Sequence, residues 1–274
     1  MFEFLNAVLL SLIAGAATGL GGLYTMFVKK TNFNTLGMML GFSGGVMLVV
    51  AFINLIPEAL LVLQSIGHPS LLLALFFSVG VIAMLLIDLG IPHVEIVTGS
   101  CDIETSGRPQ RAVSVERRDS LYRLSWLMAL GIAIHNLPEG LVVGASYVYQ
   151  PHFGIYVALA ILIHNIPEGV AVATGLFAGS GRSKGRIILL TLLSGMTEPL
   201  GAILGAGLVV YLSPVLGLIV TGFSLAFAAG VMVYVTTDEL IPAAHLQCTK
   251  KHVVGIGLLL GMVFILFLAA IIPS

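Results

Sequence analysis

Charge is what this sequence has least of. Lys, Arg, Asp and Glu make up 9% of the 274 residues, where an average soluble domain carries about 25%. Hydrophobic residues make up 58%, and the mean hydropathy is +1.08. A chain so short of charge cannot cover itself with a water-facing surface, so it reads as an integral membrane protein. Cysteine is also scarce. Cys101 and Cys248 both fall outside the apolar runs, so no thiolate is available within the membrane and a dedicated copper(I) site is disfavoured. No basic cluster suggests nucleic acid as a partner.

Apolar runs of about 20 residues or more, the length that crosses a bilayer, lie at 4–28, 37–63, 70–92, 122–148, 154–178, 186–211, 214–244 and 253–272. The runs are continuous where barrel strands would alternate, so the expected fold is all-α with eight transmembrane helices. Residues 1–274 read as one transmembrane domain, with a variable cytoplasmic loop at 94–120 that mixes five acids with four arginines. The first run has no basic residue ahead of it and Lys29 and Lys30 behind it, which predicts an uncleaved span in place of a signal peptide.

All twelve basic residues fall in or beside the loops after spans one, three, five and seven; the intervening loops hold none. The positive-inside rule then predicts both termini outside the cytoplasm, in a multi-pass protein of the cell membrane. Cys101 and Cys248 fall on the reducing side as free thiols.

The acids are distributed differently. Glu58, Asp88, Glu139, Glu168, Glu198, Asp238 and Glu239, seven of the thirteen, lie within apolar runs, and no lysine or arginine shares the membrane interior with them. An acid at mid-helix costs about 3 kcal/mol on insertion scales, so something cationic must offset the group: protons or a metal ion.

A repeated string chooses between these. Ile134 to Gly140 reads IHNLPEG and Ile163 to Gly169 reads IHNIPEG. Residues four apart share a helix face, so His135 stacks with Glu139 and His164 with Glu168, and each pair is expected to turn one imidazole and one carboxylate to a common point. Pro138 and Pro167 withdraw hydrogen bonds from the carbonyls of Ile134 and Ile163, which predicts freed oxygens and bent helices. Counting about 1.5 Å per residue puts both motifs near mid-membrane, on antiparallel spans, as inverted copies. Asn54, Pro57 and Glu58 in span two repeat the spacing with Asn54 in place of the histidine, and span six offers Ser194 and Glu198. Span seven repeats the Leu-Ile-Pro of span two, with Glu239 where Asn54 stands. Spans one to three and six to eight are therefore expected to form an inverted repeat around the central pair of spans four and five. Asp88, His93, Glu95 and His245 gather near the expected cytoplasmic ends of spans three and seven.

With HNLPEG and HNIPEG on consecutive spans, eight spans, a charged loop after the third and an acid in the sixth, the chain resembles the ZIP (Zrt/Irt-like) divalent-metal transporters over essentially its whole length. The resemblance implies import of zinc, with iron(II), manganese, cobalt and cadmium as further substrates, through a midplane site that often holds two adjacent metals. It implies ligands from His135, Asn136 and Glu139, from His164, Asn165 and Glu168, from Glu198 as a metal bridge, and from Asn54 as the variable span-two ligand. Glu58, Glu239, Asp238, Asp88, His93 and His245 are secondary candidates. The partners are the metal ions, as cargo and not as a bound cofactor, and the lipid bilayer; a homodimer is compatible with the sequence. Two other classes compete. An intramembrane metalloprotease would carry H-E-x-x-H, with a glutamate beside the first histidine, where this chain has asparagine. A proton-linked carrier explains the acids but not the paired histidines and prolines.

Overall fold

The computed structural model describes residues 2–27, 33–90, 110–180, 184–247 and 250–271, and among them only helices and short turns occur. Span one is α1 (Phe2–Phe27). Span two is α2 (Phe33–Val49), a π-helical segment (Val50–Leu55) and α3 (Ile56–Gln64). Span three is α4 (Pro69–Gly90), span four α5 (Gln110–Tyr149) and span five α6 (Pro151–Ser180). Span six is α7 (Lys184–Gly195) and α8 (Thr197–Tyr211), broken at Met196. Span seven is α9 (Pro214–Tyr234), a second π-helical segment (Val235–Leu240) and α10 (Ile241–Gln247), and span eight is α11 (Lys251–Ile271).

Seven stretches of the described residues are long and apolar enough to cross a bilayer; the eighth helix is α5, 40 residues long. It begins at Gln110, inside the segment expected to be loop. Residues 110–123 are polar, but alanine, glutamate, arginine and leucine are good helix formers and no glycine or proline interrupts them, so the helix extends past the apolar run. The rest of the 94–120 segment, with His93, Cys101 and Cys248, lies outside the described residues.

The surface is that of a membrane protein. Large apolar side chains such as Leu61, Leu86, Leu259 and Phe267 point outward and are more than half exposed, while His135, Asn136, Glu139, His164, Asn165, Glu168 and Glu198 are buried. In water this distribution would be inverted.

The two π-helical segments occupy equivalent places in spans two and seven, and both lead into Ile-Pro. A proline ring collides with the carbonyl four residues back, and a wider turn relieves the collision. Ile56 N–H donates to the Ala51 carbonyl and Ile241 N–H to that of Thr236, each five residues back. Aligned on these segments, the two spans share more than Leu-Ile-Pro: Gly45-Val46-Met47 matches Gly230-Val231-Met232. Helix pairing follows the same exchange. Span one packs on five as six packs on four, and span two packs on eight as seven packs on three. The inverted repeat expected from a three-residue string thus extends to the packing of the whole bundle.

Glycines allow the closest approaches. A Cβ on Gly140 would overlap the Glu198 carbonyl, and a Cβ on Gly169 would overlap that of Thr18; these are the same contact in the two halves. Each glycine follows a motif glutamate, so close packing and site are built by adjacent residues. Gly140→Val and Gly169→Val should each destabilise the purified protein by about 1–3 kcal/mol or more through overpacking. Gly255→Ala, where nothing stands within 4 Å of a new Cβ, should be neutral. Thermal denaturation of the three variants in one detergent checks this, and a Gly140→Val protein as stable as Gly255→Ala would contradict the packing.

Candidate metal site

The HNxPEG motifs sit on α5 and α6, which run antiparallel through the centre of the bundle and pack along each other. Both helices continue through Pro138 and Pro167. Hydroxyls from neighbouring spans bond carbonyls of the motif segments: Thr197 Oγ1 donates to the Ala133 carbonyl at 2.6 Å, and Ser43 Oγ to that of His164 at 3.3 Å.

The pairing of histidine and glutamate is crossed. His135 Nε2 lies 3.2 Å from Glu168 Oε2, and His164 Nε2 lies 3.1 Å from Glu139 Oε1. The sequence reading paired each histidine with the glutamate four residues on in its own helix. In the structure each reaches the other helix's glutamate instead, because two antiparallel helices crossing at the motifs bring position one of each against position five of the other. His164 Nδ1 lies 3.0 Å from the Ala160 carbonyl, which can only accept, so Nδ1 carries the hydrogen and Nε2 is the atom left to face Glu139. An imidazole held in this way is oriented as metal-binding histidines usually are.

The asparagines tie the crossing to spans one and six. Asn136 Nδ2 donates to the Ser194 carbonyl at 3.2 Å, and Asn165 Nδ2 to the Ala14 carbonyl at 3.0 Å, again one contact repeated in the two halves. Asn165 Nδ2 also donates to Glu198 Oε2 at 2.9 Å. Glu198 lies in the first turn of α8, after the break at Met196, where the free N–H groups and dipole of a helix N-terminus favour a negative side chain.

Once these bonds are made, Asn136 Oδ1, Asn165 Oδ1, Glu139 Oε2, Glu198 Oε1 and His135 Nδ1 are buried without a protein partner. Four are oxygens of side chains that already donate or are acidic, and each costs about 1–3 kcal/mol if left unsatisfied. Amide oxygens, carboxylates and imidazoles form the mixed set that zinc and its neighbours accept. Among the described residues, no three of His, Cys, Asp and Glu stand close enough to hold a metal ion in this conformation; the histidines and acids are joined in hydrogen-bonded pairs.

The remaining sequence candidates divide. Asn54 does not join the crossing. Its Oδ1 accepts from Tyr156 Oη at 3.1 Å, two turns along α6 from His164, and it lines a separate cleft with Glu58. The π-helical segment adds a residue to the turn and rotates the downstream half of the span by about 100°, which breaks the analogy with the regular helices of spans four and five. In span two it is Ser43 that reaches the site, donating to Glu168 Oε1 at 3.3 Å. The sequence reading missed this residue because a lone serine on an apolar helix carries no distinguishing signal. Thr18, the span-one counterpart of Glu198, was missed for the same reason; its hydroxyl is buried without a partner.

Asp88 and Asp238 share the Tyr234 hydroxyl, at 3.0 and 3.3 Å. Glu239 Oε2 would stand 3.4 Å from a Cβ on Gly131, one turn before His135, so these acids lie between the crossing and the ends of spans three and seven. His245 is exposed at the end of α10 and bonds none of them among the described residues.

The family model described as ZIP zinc transporter matches residues 104–269. A zinc transporter ZupT from Chlorobium limicola is 39% identical over 266 residues, covering 96% of each chain. One from Clostridium perfringens is 38% identical over 275 residues, covering 96% of this chain and 94% of its own. One from Streptococcus mutans is 37% identical over 264 residues, covering 94% of each. With two HNxPEG motifs crossing at the centre of a helical membrane bundle, and with relatives matching along nearly its whole length, the chain belongs to the ZIP zinc transporter family.

Proposed function

We propose that the protein imports divalent transition-metal ions, zinc foremost, into the cytoplasm through the crossing of spans four and five. It is a transporter and not an enzyme, as its family assignment establishes. The observation that carries the reading is the crossed pairing: each histidine is held by a carboxylate from the opposite helix, with further buried oxygens beside them that lack partners. An ion at the crossing would exchange two hydrogen bonds for bonds to imidazole and carboxylate, so both helices would hold it together. The exchange suits transport, because the ligands re-pair when the ion leaves and no buried charge is stranded.

Iron(II), manganese, cobalt and cadmium accept the same mixed ligands and are proposed as further substrates; magnesium and calcium, which prefer all-oxygen shells, are not. Glu198 fits the part of a bridge to a second ion, since one of its oxygens is held by Asn165 and the other is unpartnered. Cytoplasmic delivery rests on the charge map, with the basic loops inside.

Two experiments test the reading. In liposomes containing only this protein, zinc uptake should exceed that of protein-free vesicles, and Glu139→Ala and Glu168→Ala should each abolish it at equal protein content; near-normal uptake by either variant would refute the crossing as the transport site. For orientation, Cys101 and Cys248 should resist an impermeant thiol reagent applied to intact cells and react after permeabilisation. Labelling of either from outside would reverse the topology.

A further inference from the structure

A cleft of about 190 Å³ lies between spans two, five and eight, lined by Ile53, Asn54, Glu58, Phe153, Tyr156 and Ala269 among others. We infer that it is a second cation site, a vestibule that takes up a still hydrated divalent ion through Asn54 Oδ1, the Glu58 carboxylate and Tyr156 Oη before the ion reaches the crossing. The inference rests on the transport reading only for the order of events.

The donors are all oxygen. Asn54 and Glu58 stand one turn apart on one span, and Tyr156 spends its hydrogen on Asn54 Oδ1, so its own oxygen is left as an acceptor. Glu58 is partly buried, and neither a basic group nor a hydrogen-bond donor acts on it among the described residues. A carboxylate held without a cation beside the apolar walls of Phe153 and Ala269 strengthens attraction for a positive ion. At about 190 Å³ the cleft has room for an ion that keeps some of its water. Hard, neutral oxygens with a single charge bind such an ion weakly, as a docking site requires.

Symmetry supports the same assignment. The contact of Gly80 on span three with the Phe227 carbonyl is repeated by Gly261 on span eight with that of Phe42, which aligns Asp88 with Ala269. The π-helical segments align Glu239 with Asn54. The cleft is therefore the counterpart, on the opposite side of the crossing, of the place where Asp88 and Glu239 stand. On the basic-loop side that place is lined by acids. On the short-loop side Asn54 and Ala269 replace them, and a new acid, Glu58, takes the position of Ala243. Carboxylate is thus present on both approaches to the crossing, although the residues that provide it differ.

The test uses the full-length protein with Cys101→Ser, Cys248→Ser and Ile53→Cys, Ile53 being an exposed cleft residue that is not a proposed ligand. Manganese is the probe, because it favours oxygen over thiolate ligands. A water-soluble maleimide should label position 53, and saturating manganese should slow labelling about tenfold, as for a site filled at ten times its dissociation constant. Protection should persist with Glu139→Gln and Glu168→Gln added and disappear with Glu58→Gln added. In liposomes, Glu58→Gln should raise the KM for zinc several-fold and leave the maximal rate nearly unchanged. A cysteine the reagent cannot reach, no protection, protection that survives Glu58→Gln, or protection that depends on Glu139 and Glu168 would overturn the vestibule. Protection as expected in a protein that fails to move zinc would uphold the cleft and reject the transport reading instead.

Discussion

A carboxylate in the middle of a membrane must meet a positive or hydrogen-donating partner, and the centre of this protein is arranged around that requirement. Among the described residues no lysine or arginine pairs with Glu139 or Glu168, and each is met by a histidine from the neighbouring helix. The pairs form only if spans four and five are antiparallel and in the one register that sets each histidine against the opposite glutamate. Other features serve that register. Gly140 and Gly169 bring spans six and one into backbone contact beside the glutamates, and Asn136 and Asn165 fasten the motifs to the same two spans.

The inverted repeat explains how one sequence device yields two half-sites. Related contacts recur across the bundle, yet the halves are not chemically equal. Glu198 stands where span one has Thr18, and Ser43 stands where span seven has Ala228. Glu168 consequently accepts from both His135 and Ser43, whereas Glu139 keeps one oxygen without a partner. Both of these departures from symmetry bear on the two carboxylates at the crossing.

Much of this was legible in the sequence because membrane helices have few alternatives. Continuous apolar runs gave the spans, and two acid-bearing motifs with one spacing gave the residues of the centre. The partner of each histidine was not legible, since spacing within a helix shows which side chains share a face but not how the next helix is set against it. Asn54 was assigned by analogy with regular helices, and the π-helical turn before Pro57 defeats the analogy by rotating the span. The start of α5 at Gln110 was hidden by polarity, which reports solvent contact and not the absence of a helix. Ser43 and Thr18 gave no signal because serine and threonine are at home in membrane helices, bonding their own backbone.

The central claim is that one ion is held jointly by both motifs. X-ray absorption at the zinc edge, on purified protein loaded with a single equivalent of zinc, tests it most directly by counting imidazoles around the metal. The account predicts two imidazoles with oxygen ligands completing the shell, and the loss of one imidazole in each of His135→Ala and His164→Ala. A shell without imidazole, or one left unchanged by either substitution, would contradict it.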